Sequence, residues 1–197
     1  MSLPLERPGM AMNSACVAIY AACLLVSLSF MHAAWAAVDC ATLPRWVRME
    51  NGVRLNQAHV FCGEESEGRA KGLHARPGGK NPATVRDFTI QDFPDSTGIY
   101  SGRWSHVRSP GRGKFSSMFP DDCSVEQILK SVAHASSHPE RSCPPGAPGW
   151  IRCGRNRPAD PAAGGLANYC SRDGTFFLIG FSEPWNGRIN TAFPIRP

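Results

Sequence analysis

The sequence predicts an α+β domain of short antiparallel strands with few helices, supported by disulfides. Three observations predict it. One segment carries a capped, amphipathic helical pattern; several short apolar runs are bounded by Gly, Pro and Asn turn signals; and six cysteines follow an apolar amino-terminal stretch.

The first element is that amino-terminal stretch. Residues 15 to 38, "ACVAIYAACLLVSLSFMHAAWAAV", contain no Lys, Arg, Asp or Glu and end on Ala-Trp-Ala, the pattern of a secretory signal peptide. Residues 1 to 37 are therefore expected to be a leader, with an uncleaved anchor as the alternative. Cleavage leaves residues 38 to 197, a length that suits one domain with its own core. Of eight cysteines all but Cys16 and Cys23 lie in this part. Their even number in an exported chain implies disulfides, while the connectivity stays open.

Residues 59 to 63 (HVFCG) and 70 to 75 (AKGLHA) read as two strands about the turn "ESEG", in which Gly68 can take a positive φ. With the turn centred between Ser66 and Glu67, His59 falls opposite His74, and opposed side chains share one face of a ladder. Residues 76 to 113, rich in Gly, Pro, Ser and Arg, are expected to be mostly surface loop, with one short strand near "TVRDFTI". "DDCSVEQILKSVAHA" is the helix: Ser124 and Gln127 form a capping-box pattern, and Val125, Ile128, Leu129, Val132 and Ala133 trace one stripe. Residues 139 to 168 are too rich in Pro and Gly for regular structure and are expected to owe their order to Cys143 and Cys153. "GTFFLIGF" and "GRINTAFPI" read as closing strands, with a turn at Asn186-Gly187.

The formal net charge is +5, and among 21 basic residues only Lys71, Lys80, Lys114 and Lys130 are lysines. Arginine's planar, permanently charged fork suits phosphate groups, so a polyanion partner fits; a basic exoprotein of no particular charge partner is the plain alternative. Cleaving RNA without a metal needs a base for the ribose 2'-OH, an acid for the departing 5'-oxygen and a cation for the charge gathering on phosphorus. Two histidines and a lysine can do this, because imidazole titrates near neutrality. His59 and His74 are the candidate pair. His134 and His138, at i, i+4 spacing, could hold a metal, but no third ligand is evident and a solvated helix end is the simpler reading. His106 lies in the basic stretch "GRWSHVRSPGRGKF", which could follow a phosphate backbone or be a solvated loop. Cys62 near His59 raises a thiol nucleophile, which export and strand alternation both disfavour.

Three blocks, in order, resemble the EndoU family of uridylate-preferring endoribonucleases. "HVFCGE" followed by "KGLH" is similar to the family's two histidine motifs. "GKFSSMFPDDCSVEQILKSV" looks like the block in which a lysine precedes "STFFP" and a helix, and "GRINTAFPI" is similar to the terminal "G-I-x-T-A-Y-P". Together they cover most of residues 57 to 195. The resemblance implies a fold of twisted antiparallel sheets and cleavage 3' of uridines by 2'-OH attack, leaving a 2',3'-cyclic phosphate. Carried over by position, His74 is the general base, His59 the general acid and Lys114 the cation. Ser116 or Ser117 would supply a uracil-reading hydroxyl near the lysine and Thr191 another donor, while Phe193 stands where the family has tyrosine. Glu64 is read as an orienting group, and Ala58 replaces an acidic residue that some members carry. No metal is required on this reading, with at most facultative manganese stimulation.

The expected function is thus a secreted or periplasmic RNA endonuclease acting on single-stranded, uridine-containing RNA, a candidate toxin with an immunity protein as possible partner and no stable membrane association after cleavage. A non-catalytic secreted polyanion-binding module of the same fold is the alternative. A Cys62 and His74 hydrolase is a third.

Overall fold

The computed structural model describes residues 36–160 and 165–196, so the expected leader, apart from Ala36 and Ala37, lies outside the described residues. Twelve regular elements and three short helical turns follow in order. Strands β1 (Trp46–Arg48) and β2 (Arg54–Asn56) precede a π-helical turn, Ala58–Cys62. Strands β3 (Glu64–Ser66) and β4 (Arg69–Lys71), a 3₁₀ turn (Pro77–Gly79) and the long strands β5 (Val85–Asp92), β6 (Tyr100–His106) and β7 (Ser109–Met118) come next. Helix α1 (Val125–Ser137), β8 (Ile151–Arg155), a second 3₁₀ turn (Leu166–Asn168), β9 (Leu178–Ser182), β10 (Arg188–Ile189) and β11 (Ala192–Ile195) complete the chain. The strands form four small sheets, β1-β2-β10, β11-β9-β8, β3-β4 and β5-β6-β7, antiparallel except for the β2–β10 pairing. The predicted class, α+β with few helices, is the class observed.

Helix α1 begins as its sequence dictates. The Ser124 hydroxyl accepts from the Gln127 amide N–H at 3.1 Å, and the Ser124 N–H donates to Gln127 Oε1 at 2.7 Å. Each side chain satisfies a backbone N–H that a helix amino terminus otherwise leaves open. Its stripe buries Ile128, Val132 and Ala133 in a core shared with Leu55, Val60, Phe61, Phe119, Ile179, Phe181 and Ile189. A second core, Ala70, Leu73, Val85, Tyr100, Trp104 and Met118, lies between the β3–β4 hairpin and the β5-β6-β7 sheet. The segment from Cys62 to Ala75 joins the two.

Three expectations change. The hairpin is shorter and shifted: Glu64 pairs with Lys71 and Ser66 with Arg69 about a two-residue turn at Glu67-Gly68, both at positive φ (55° and 70°). His59 therefore stands outside the ladder, in the π-helical turn. Residues 76–113 contribute two further long strands instead of mostly loop, because Tyr100 and Trp104 alternate into the second core and bury it. Residues 139–168 include strand β8, which hydrogen-bonds to β9.

The six cysteines pair as Cys40–Cys62, Cys123–Cys170 and Cys143–Cys153. Cys123–Cys170 fastens the helix entrance to the loop before β9, and Cys143–Cys153, the two cysteines expected to order the proline-rich stretch, anchor it to β8. Cys40–Cys62 ties the segment leading to β1 onto the π-helical turn. Closing a loop of sequence separation 22 restricts the unfolded chain by about 3 kcal/mol. A Cys40→Ser, Cys62→Ser double variant is expected to lose stability of about that size, read as a lower denaturant midpoint with an otherwise cooperative transition.

Candidate active site

Asn56 ends β2 and sets the start of the π-helical turn, its Oδ1 accepting from the His59 amide N–H at 3.1 Å. The turn buries Val60 and Phe61 in the first core and leaves the His59 side chain about 12% exposed. The chain then runs through the β3–β4 hairpin and returns against the same turn. Leu73 N–H donates to the His59 carbonyl (2.8 Å) and His74 N–H to that of Val60 (2.7 Å). Gly72 makes this return possible. It sits at φ +74°, and a Cβ there would lie 2.1 Å from the His59 carbonyl oxygen and 2.9 Å from His59 Cδ2. The result is a pair of imidazoles with ring centroids 6.1 Å apart, tilted by 36°.

Strand β7 brings the lysine. Lys114 Nζ donates to the Gly72 carbonyl (3.1 Å), the Phe115 carbonyl (3.1 Å) and Ser116 Oγ (2.8 Å). Ser116 is buried beneath it: its Oγ also accepts from the Trp104 indole N–H (3.1 Å) and donates to Gly72 O (3.0 Å), which uses the full capacity of a hydroxyl. Ser116 thus supports Lys114 instead of facing an open surface. Ser117, half-buried, donates from its hydroxyl to the Pro194 carbonyl. Phe193, on β11, places its ring 5.2 Å from His74. Thr191 is buried one residue before β11, and its Oγ1 has no hydrogen-bond partner. A cleft of about 1200 Å³ opens beside Ser117 and Phe193, lined also by Phe115, Phe176 and the loop around Pro144.

The hydrogen bonds fix the imidazole tautomers. His74 Nδ1 lies 3.0 Å from the Ser117 carbonyl, which can only accept, so Nδ1 carries a proton and Nε2 of the neutral ring is an open lone pair. His59 Nδ1 lies 2.8 Å from Glu64 Oε2. The hydrogen bond from His59 is the main reason the Glu64 carboxyl is held below its usual range, so it is ionised and again only accepts. Glu64 is held in turn by Arg45 (3.2 Å) and Asn56 (3.4 Å), and Asn56 donates to Asn190 Oδ1 (3.0 Å). Both histidines therefore present Nε2 away from their supports. Burial pushes His74 well below the ordinary imidazole range, helped by the Lys114 and His59 charges and opposed by the Ser117 carbonyl. Burial alone brings Lys114 down to about 8.

The other candidates fall elsewhere. Cys62 is committed to its disulfide, which removes the thiol-nucleophile reading. His106 is buried at the end of β6, accepting at Nδ1 from the Arg108 amide N–H, and does not line an open basic loop. His134 and His138 stack at 4.5 Å, and among the described residues no group of three or more His, Cys, Asp or Glu side chains converges. Asn56 and Arg45 were not singled out from sequence. Asn three residues before His59 is a helix-cap spacing that points to the first; Arg45 has no local signal.

A compact set of two imidazoles, an ammonium and a carboxylate next to an aromatic-lined cleft is the equipment of an enzyme that moves protons around an anion. The chain belongs to the bacterial EndoU nuclease family, whose model matches residues 54–196, and is accordingly a nuclease with nucleic acid as its substrate. No curated protein and no solved structure matches it.

Two outcomes follow from this geometry. Gly72→Ala is expected to force the returning strand off the His59 carbonyl and abolish activity while leaving α1 and the β5-β6-β7 sheet folded, measured by nuclease assay alongside circular dichroism. His74 also couples folding to pH. The folded state favours the neutral ring, so on acidification the unfolded chain, with its ordinary value of 6.5, binds the proton first. The stability it contributes is full above 6.5 and is lost as pH falls towards the folded value; denaturant midpoints of His74→Gln should fall less steeply with acid than those of the parent.

Proposed function

We infer that the chain is a secreted RNA endonuclease that cuts 3' of uridines in single-stranded RNA and leaves 2',3'-cyclic phosphate ends. The observation that carries this reading is the pair of locked tautomers: each histidine spends Nδ1 on a fixed acceptor and keeps Nε2 for the substrate. His74, neutral at working pH, takes the 2'-OH proton at Nε2 as the 2'-oxygen attacks phosphorus. The bond from phosphorus to the 5'-oxygen breaks, and His59 Nε2 delivers the proton that this oxygen needs, Glu64 steadying the ring from behind. Lys114 supplies positive charge to the crowded phosphorane. Its three N–H groups are satisfied at rest, and the bond to the exposed Phe115 carbonyl is the one exchanged for a phosphate oxygen. The sequence of proton transfers uses no metal.

Phe193 forms the floor on which a base stacks, next to a cleft large enough for a nucleoside. Uracil selectivity is assigned to Ser117, at the cleft, and to Thr191, whose buried Oγ1 has no partner among the described residues. The three disulfides are consistent with an oxidising compartment, the periplasm or the exterior. A nuclease exported from its own cytoplasm finds its substrate in another cell, which fits a toxin and calls for an immunity protein in the producer.

The test is cleavage of a uridine-containing oligonucleotide in EDTA, with the product ends identified by mass spectrometry. His59→Ala, His74→Ala and Lys114→Ala are each expected to lower kcat by at least about 100-fold. Hydroxyl ends, or full activity in these variants, would overturn the reading. The rate of the parent should decline as pH rises above about 8, where Lys114 gives up its proton.

A further inference from the structure

The outer face of the β1-β2-β10 sheet carries a row of arginines. Arg48 lies directly opposite Arg54 across the antiparallel β1–β2 pair, and Arg54 directly beside Arg188 across the parallel β2–β10 pair. All three are exposed. The alternate positions, Val47, Leu55 and Ile189, turn into the first core, so the sheet separates an apolar inner face from a cationic outer one. Like charges directly opposed in a ladder repel. Among the described residues none of the three forms an ion pair, whereas Arg86, Arg155, Arg172 and Arg196 each hold a carboxylate within 4 Å. The fold thus keeps three neighbouring cations uncompensated, an arrangement that an external anion relieves.

The row is joined to aromatic surface and to the site. Trp46, on the same face, has the Arg188 guanidinium 5.2 Å from one of its rings and that of Arg45 at 5.9 Å. Trp185, which pairs through its backbone with Arg188, is 78% exposed. Arg45 reaches Glu64 and Glu64 reaches His59, so side-chain contacts run unbroken from Arg188 through Trp46 to the catalytic pair. Guanidinium groups beside the half-buried Trp46 and the exposed Trp185, linked by contacts to the histidines, suit a single strand: phosphates meet the cations and unpaired bases stack on the rings.

We propose that this face is a second RNA-binding site, a platform of Arg48, Arg54, Arg188 and Trp46 that grips the single-stranded backbone flanking the scissile phosphate. It rests on the reading of RNA as substrate. β1 precedes the residues matched by the family, so the platform is assembled partly from sequence outside that match.

The test uses an uncleavable 2'-O-methyl oligouridylate of about twelve nucleotides and a trinucleotide of the same chemistry, with affinities measured over a range of salt. For single strands each phosphate contact adds about 0.7 to the salt slope. The Arg48→Gln, Arg54→Gln, Arg188→Gln variant is expected to lose at least about tenfold in affinity for the longer strand, to lower its slope by about 2 and to lose the gain of long over short. Arg141→Gln, an exposed arginine elsewhere, should change none of these. Removing the repulsion should raise the melting temperature of Arg54→Gln alone, which also shows that the single variant folds. An unchanged slope and length dependence in the triple variant would overturn the platform even if the parent cleaves RNA. Loss of binding to phosphatidylglycerol vesicles with RNA affinity intact would overturn it in favour of a lipid surface. A parent that shows the arginine-dependent slope yet never cleaves RNA would support the platform and sink the nuclease reading alone.

Discussion

The contact of Gly72 with the carbonyl of His59 holds the rest of the site in place. Two cores are built separately, one around α1 and the other under the β5-β6-β7 sheet, and each has its own apolar logic. They are brought into register where the chain leaving the hairpin passes within backbone distance of the π-helical turn. The Gly72 carbonyl then accepts from Lys114 and Ser116 of the second sheet, while the next two amides bind the His59 and Val60 carbonyls of the first core. A side chain at this crossing would push Lys114 and the two histidines apart. Leu73, fully buried at φ +53°, shows how strongly the surroundings dictate the path: a non-glycine residue is held in the left-handed region by its packing.

Burial sets the charges at this crossing. His74 and Lys114 are both shielded from water, and both lose proton affinity for that reason. The low dielectric that makes the ammonium easier to deprotonate also strengthens its field on neighbouring groups. On the other side Glu64, tethered by Arg45 and Asn56, directs a negative charge at His59. The two imidazoles thus sit in unlike surroundings, His74 against a neutral carbonyl and His59 against a carboxylate.

Local patterns were legible from the amino-acid sequence, whereas contacts made at a distance were not. The capping box at Ser124 and the stripe on α1 follow from spacing alone, and the turn at Asn186-Gly187 from two residues that accept positive φ. The ladder that was to place His59 opposite His74 does not exist. The rings are neighbours because a π-helical turn and a left-handed leucine bring them there, and Asn56, at cap distance from His59, is the overlooked local signal for a turn in place of a strand. The β6–β7 hairpin was hidden by its own composition, since its glycines and exposed arginines resemble loop until the buried Tyr100 and Trp104 are counted. Ser116 was indistinguishable from Ser117 in sequence; strand alternation buries the first against Trp104 and leaves the second at the rim.

The bridge between Cys40 and Cys62 spans the segment bearing β1 and β2 and ends three residues beyond His59. A chain with both thiols reduced would lack that clamp, leaving the β1–β2 pairing and the Arg45–Glu64 contact to hold Arg45 and Trp46 beside the π-helical turn. The redox state of the surroundings thus decides whether this segment is held beside the turn by a covalent tie or by non-covalent contacts alone.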